Sequence, residues 1–172
     1  DPDSDGVDTN DVAFGRITSY EISAADSNLV DESTRTVLLG RAWRDGALAT
    51  SPSHSACALR FGEDGSLLAA TGDGALYTSS PADTGGRTPA AFAPGRADPV
   101  EDLGALRAQY LGSLCGKILR LDPETGLGYP GNPYFDGAPA SARSRVWAYG
   151  LRNPFRFAVR PGRGSTDPAS GN

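Results

Sequence analysis

Two residues near the middle of the chain have the chemistry of a general base and the spacing to meet. His54, the single histidine among 172 residues, precedes a short apolar run at Ala56–Phe61. Turn residues at 62–65 separate this run from a second one at 66–71, and Asp73 follows it. The pattern predicts a β-hairpin whose open end brings His54 opposite Asp73, with Cβ atoms roughly 5 Å apart. An imidazole beside a carboxylate is oriented and tuned for proton transfer.

The predicted contact depends on the register of the hairpin. With the turn centred between Glu63 and Asp64, His54 and Asp73 occupy paired positions, whereas a β-bulge would shift the pairing by one residue. The small polar neighbours Ser53 and Ser55 indicate that the imidazole is exposed at the open end. The alternative is a histidine with a purely structural role.

Short apolar runs separated by glycine and proline predict the elements that position these residues. The 22 glycines and 13 prolines are spread between such runs, which is typical of an all-β protein with many turns. The helical spacing of leucines predicts one short helix within 101–114. Strands are predicted at 12–22, 34–40, 56–61, 66–71, 117–121, 145–149 and 155–160.

Two short strings recur in the same order about 100 residues apart. GRI at 15–17 returns as GKI at 116–118, and LRF at 59–61 returns as FRF at 155–157. Repeated all-β units predict a β-propeller with a central site formed by loops. Because 172 residues supply only about two to three blades, residues 1–172 are predicted to be an incomplete segment of one propeller domain. A long loop insertion is expected at about 77–115.

Composition argues against several classes of partner. The formal net charge of −5 disfavours nucleic acid and anionic lipid as ligands. No run approaches the length of a transmembrane helix, and no signal peptide is expected within these 172 residues, since one would lie upstream of them. The acidic string DPDSDG at 1–6 resembles half of a calcium loop, but Val12 stands where such a loop needs glutamate. A solvated acidic loop is therefore the default interpretation.

The two cysteines, Cys57 and Cys115, allow either one disulfide or two buried core thiols. Their separation in sequence does not decide between these alternatives. A metal site is not expected, because the chain has neither a CxxC motif nor a second histidine.

Four stretches of the chain form a distinctive combination of motifs. They read SPSHS at 51–55, LRFGEDGSLLAATGDGA at 59–75, LRAQYLGSLCGKILRLDPETGLGYPGNPYFDG at 106–137 and RVWAYGLRNPFRF at 145–157. Together they resemble the soluble pyrroloquinoline quinone (PQQ)-dependent glucose/sorbosone dehydrogenase family, over about 15–161. The most specific string is GLRNP after a strand containing Trp and Tyr, preceded by GKILRLDP. The resemblance implies a six-bladed β-propeller that holds PQQ and a calcium ion on top of its ring.

The resemblance also implies roles for four residues. His54 matches the general base that takes the proton of the sugar's anomeric hydroxyl while hydride passes to C5 of the quinone, and Asp73 matches the aspartate that orients it. Arg152 matches the arginine beside the quinone oxygens, where a fixed guanidinium stabilises developing negative charge. Asn153 matches an asparagine that hydrogen-bonds the cofactor. From the residues alone, the corner at 151–154 is a turn.

PQQ-dependent oxidation of aldose sugars is the leading hypothesis, with a small-molecule sugar and an electron acceptor as partners. The family's calcium ligands are expected outside this chain, as is the other wall of the cofactor pocket, so the isolated segment is expected to be inactive. The resemblance also implies a secreted or periplasmic location.

Two other function classes are open. One is a non-catalytic extracellular propeller that binds proteins, of the hedgehog-interacting-protein type, since the fold alone does not settle function. The combination of His54, Asp73, Arg152 and Asn153 favours the enzyme, because a binding module has no need of a base beside a quinone site. The other is a propeller hydrolase or lactonase, which would need several carboxylates where only Asp73 is a candidate.

Overall fold

The computed structural model describes residues 12–51, 53–75, 97–163 and 167. Within them, short antiparallel strands are joined by turns and brief helical segments, so the predicted all-β class is confirmed. The strands are β1 (Ala13–Gly15), β2 (Ile17–Ile22), β3 (Val30–Leu39), β4 (Ala47–Ala49), β5 (Ala56–Phe61), β6 (Leu67–Thr71), β7 (Lys117–Leu121) and β8 (Val146–Tyr149). The helical segments are α1 (Ala142–Arg145) and the 3-10 turns Trp43–Asp45, Pro99–Glu101 and Gly104–Gln109.

The largest sheet in the described part of the chain has four antiparallel strands in sequence order, β5-β6-β7-β8. This up-and-down arrangement is that of one propeller blade. In the central pairs, Ala70 lies opposite Ile118, and Ile118 lies opposite Ala148. Beside this sheet, β1 pairs with β4 and β2 pairs with β3.

Apolar side chains from the sheet and from the β1–β4 region form one core cluster. Leu119, Leu121 and Val146 are completely buried in it. Burying such a side chain contributes about 1.5–3 kcal/mol relative to exposure. Other members of the cluster are Ile17, Leu38, Leu39, Ala47, Leu48, Leu67, Ala69, Ala97, Leu114 and Cys115.

The β5–β6 hairpin is present, with two irregularities that cancel. Its turn is one residue longer than predicted: Phe61 pairs with Leu67, and Gly65 adopts φ +79°. A register shift between Ala56 and Leu59 then restores the predicted pairing of Ala56 with Thr71. The open end therefore has the expected alignment, although the turn does not.

Three predicted elements differ in kind or continuity from the structure, and β3 begins four residues before the strand predicted at 34–40. The strand predicted at 12–22 is divided at Arg16 into β1, which pairs with β4, and β2, which pairs with β3. The helix predicted within 101–114 consists of 3-10 turns. The strand predicted at 155–160 is wrong, since no described strand pairs with it and Phe155 is 66% exposed. Alternating residues form a strand only where a neighbour completes the ladder.

Two features of the sequence fall largely or wholly beyond the described residues. The acidic string at 1–6 lies outside them, as does the stretch at 76–96 within the predicted loop insertion. No helix in the described part of the chain is long and apolar enough to cross a membrane.

Candidate active site

Asp73 is the centre of the candidate site. It lies in the loop after β6, and its buried carboxylate joins three parts of the chain. Oδ1 accepts hydrogen bonds from His54 Nδ1 at 2.9 Å and from the backbone nitrogen of Ala75 at 3.0 Å. Oδ2 accepts from Nη1 of Arg152 at 3.2 Å. Bonds to both oxygens fix the carboxylate in one orientation.

His54 approaches Asp73 from the open end of the hairpin, as the sequence predicted. Its backbone has φ +56°, in the left-handed region that few residues other than glycine adopt. Its side chain is only 9% exposed, less than its serine neighbours suggested, because the ring packs beside Asp73. An ionised carboxylate only accepts, so Nδ1 carries the proton and Nε2 is the nitrogen that can accept another.

Two glycines allow the backbone to approach this closely. A Cβ at Gly72 would overlap the carbonyl oxygen of His54, which itself accepts from the backbone nitrogen of Gly74 at 3.0 Å. Gly74 has φ +66°, and a Cβ there would overlap the carbonyl oxygen of Leu48. The Gly-Asp-Gly string is therefore the local feature that lets His54 and Asp73 meet.

Arg152 reaches the site from the corner after β8. The backbone of Leu151 donates to Gly116 at 3.1 Å, and the carbonyl of Arg152 accepts from the backbone nitrogen of Asp73 at 2.9 Å. These bonds hold the corner against the Asp73 loop, while 46% of the Arg152 side chain stays exposed. Asn153 is exposed at the adjoining turn, where its carbonyl accepts from Phe155 at 2.8 Å.

The structure thus brings His54, Asp73 and Arg152 together around one carboxylate. Sequence reasoning missed the buried cations on the opposite side of the Asp73 loop. Arg107 donates from Nε to the carbonyl of Asp73 at 3.0 Å, and Lys117 supports the segment that carries Arg107. Burial lowers the pKa of Lys117 to about 8. The available signal was a lysine that begins the strand KILRL, whose other residues except Arg120 are apolar.

Cys115 is a free, fully buried thiol, so the core interpretation is confirmed for it. Its Sγ donates to the carbonyl of Leu48 at 3.1 Å, and burial raises its pKa to about 11. The side chain of Cys57 lies outside what the structure describes. Across 12–51, 53–75, 97–163 and 167, no group of three or more His, Cys, Asp and Glu is placed to hold a metal ion.

A family model described as Glucose / Sorbosone dehydrogenase matches residues 17–165. The chain belongs to this family. The match confirms the resemblance seen in the sequence and spans all four predicted site residues. The glucose/sorbosone dehydrogenase family has a β-propeller fold, which agrees with the blade-like sheet β5–β8. Membership implies a dehydrogenase of sugars.

Proposed function

We propose that the full-length protein oxidises aldose sugars with PQQ as its redox cofactor and His54 as the general base. The observation that carries this proposal is the Asp73 carboxylate, whose oxygens lie 2.9 Å from His54 Nδ1 and 3.2 Å from Arg152 Nη1. A base and a cation held by one buried carboxylate are the groups that removal of a hydroxyl proton and stabilisation of an anionic acceptor require.

His54 performs the proton transfer. Asp73 keeps the proton of the imidazole on Nδ1, so Nε2 takes the proton of the sugar's C1 hydroxyl. The resulting imidazolium is stabilised by the same carboxylate, which at 2% exposure is shielded from water. A positioned base of this kind contributes about 10²–10⁴-fold to the rate.

The residues present fit one side of an anionic quinone such as PQQ. Arg152 has five N–H donors, and its exposed fraction of 46% leaves part of the guanidinium accessible to a ligand. Arg152 and Asn153 would hold the cofactor at the corner after β8. When bound, PQQ supplies the two-electron acceptor for the hydrogen on C1 of the sugar.

The remaining features of the proposal come from the family. We infer that residues 1–172 are part of one propeller domain and that the calcium ligands lie elsewhere in it. The substrate class is a small-molecule sugar, an electron acceptor reoxidises the cofactor, and the protein is secreted or periplasmic.

The test is reconstitution of the full-length protein with PQQ and calcium, followed by dye reduction with aldoses. His54→Asn removes the base but suits a left-handed backbone, because asparagine tolerates positive φ. We expect the rate to fall about 10²–10⁴-fold with unchanged PQQ binding. Ser53→Ala, at the neighbouring position, is the matched control and should keep the wild-type rate.

Failure of the intact protein to bind PQQ would contradict the proposed enzyme. A protein-binding propeller of the hedgehog-interacting type would then account for the fold without redox chemistry. Activity that survives in His54→Asn would instead preserve the enzyme and remove His54 from the role of base.

A further inference from the structure

A buried arginine contacts the candidate site through the backbone. Arg107 is 1% exposed, and its Nε donates to the carbonyl oxygen of Asp73 at 3.0 Å. We propose that Arg107 is a positioning residue: it holds the Asp73 loop so that the carboxylate keeps its bond to His54. The proposal rests on the proposed function, in which His54 is the base.

The same guanidinium reaches the next peptide group through a threonine. Nη2 of Arg107 donates to Thr50 Oγ1 at 2.7 Å. The hydroxyl and the backbone nitrogen of Thr50 each donate to the carbonyl of Gly74 at 3.0 Å. Two consecutive carbonyl groups, those of Asp73 and Gly74, are therefore fixed by one network.

The Asp73 loop needs such support because of its composition. Asp73 lies between Gly72 and Gly74, and glycine restricts the backbone less than any other residue. The carboxylate must nevertheless present one oxygen to His54 and the other to Arg152. A displacement of about 1 Å in a catalytic group can lower a rate about 10²-fold.

Arg107 is itself held by rigid elements. It lies in the 3-10 turn Gly104–Gln109, and Nζ of Lys117 donates to the carbonyls of Arg107 and Ala108 at 3.0 Å each. Nη1 of Arg107 donates to the carbonyl of Glu101 at 3.1 Å. The guanidinium is thus fixed relative to β7, which begins at Lys117, and not to a mobile surface segment.

A role in stability alone is the competing explanation, and a second buried arginine separates the two. Arg145 is 2% exposed and pairs with Asp45 through its Nη1. The experiment compares Arg107→Met with Arg145→Met in the full-length protein. It measures kcat and KM for the sugar, the melting temperature, and the NMR signal of the His54 Nδ1–H, assigned by its loss in His54→Asn.

We expect both variants to lower the melting temperature. Arg107→Met should also lower kcat about 10–100-fold, leave KM nearly unchanged, and shift or broaden the Nδ1–H signal. Arg145→Met should change neither kcat nor that signal. Equal effects of the two variants on kcat and on the signal would overturn the proposal.

Two further outcomes are decisive. If Arg107→Met does not fold, Arg107→Lys keeps the buried charge but lacks the planar fork that bonds Asp73, Glu101 and Thr50 at once, and an unchanged Nδ1–H signal in that variant overturns the proposal. If His54→Asn keeps full activity, the proposed function fails, but the response of the His54 signal to Arg107→Met still decides whether Arg107 positions the loop.

Discussion

The two ends of the β5–β6 hairpin each hold a buried aspartate paired with an arginine. At the closed end, Arg120 Nη2 lies 2.5 Å from Asp64 Oδ2. At the open end, Arg152 Nη1 lies 3.2 Å from Asp73 Oδ2. The cations differ in environment, because the side chain of Arg120 is 3% exposed and that of Arg152 is 46% exposed.

The closed end encloses its cation completely. The guanidinium carbon of Arg120 lies 5.0 Å from the ring centre of Tyr129 and 5.2 Å from that of Trp147. Nη1 donates to Asn132 at 3.1 Å, and Asp64 also accepts from Ser66. All of these contacts are with other side chains of the protein, so the Asp64–Arg120 pair contributes to the stability of the fold.

The open end leaves its cation accessible and pairs its carboxylate with an imidazole, that of His54. Similar ion pairs therefore stand in two different environments in one hairpin. The exposure of the arginine, more than the burial of the aspartate, distinguishes a candidate site from a structural pair.

Replacing the enclosed arginine should produce the largest loss of stability. Arg120→Met leaves the Asp64 carboxylate buried without its cation, and breaking a buried pair in this way costs about 3–5 kcal/mol. We expect the free energy of unfolding to fall by that amount, measured by denaturant titration of the full-length protein. The molecules that remain folded should keep the wild-type kcat.

Arg152→Met is the reciprocal variant. It should lower the free energy of unfolding by less than Arg120→Met does, because the Asp73 carboxylate keeps its bonds from His54 and Ala75, and it should lower kcat about 10²–10³-fold. A stability loss as large as that of Arg120→Met would show that the two ends do not differ as described.

Glycine substitutions at the two ends give a second contrast. In Gly72→Ala the new Cβ overlaps the carbonyl of His54, so the backbone must shift and kcat should fall about 10²-fold. In Gly65→Ala, at φ +79° with no atom within 4 Å of the new Cβ, only backbone strain of about 1–2 kcal/mol is expected. Steady-state kinetics and thermal unfolding, measured on both variants, separate the loss of kcat from the loss of stability. A normal kcat in Gly72→Ala would contradict the close approach at the site.

Lowering the pH should weaken the Asp64–Arg120 pair at the closed end. Its effect on stability should be smaller than those of the substitutions above. Burial raises the pKa of Asp64, but hydrogen bonds from Ser66 and Arg120 outweigh it and hold the pKa below 3.8. The unfolded state therefore binds more protons as the pH falls through this range, so the stability that Asp64 contributes at higher pH is lost. Asp64→Asn should flatten the dependence of unfolding free energy on pH below about 4.

Ser66→Ala is the graded control for this acid effect. It removes one of the hydrogen bonds that lower the pKa of Asp64, so its slope should lie between those of the wild type and Asp64→Asn. A slope in Asp64→Asn equal to that of the wild type would assign the acid sensitivity to other carboxyl groups.

Prediction from the sequence succeeded where contacts are local or strands have neighbours. The runs at 56–61, 66–71 and 117–121 are strands β5, β6 and β7, with β6 beginning one residue later than predicted. The run at 155–160 has the same alternation but is not a strand, because a single segment carries no information about whether a neighbour completes its ladder. Strand β4 was not predicted, because its three residues are too few to show an alternation of apolar and polar side chains.

The contact of His54 with Asp73 could be predicted locally, because a hairpin returns the chain to its starting point within 19 residues, although the register also depends on a shift that cancels the longer turn. The resemblance added Arg152 and Asn153 as candidates. Only the tertiary structure placed Arg152, 79 residues away, on the free oxygen of Asp73, and Arg107 on its carbonyl. These contacts join segments whose approach depends on the packing of the whole sheet, which no local pattern encodes.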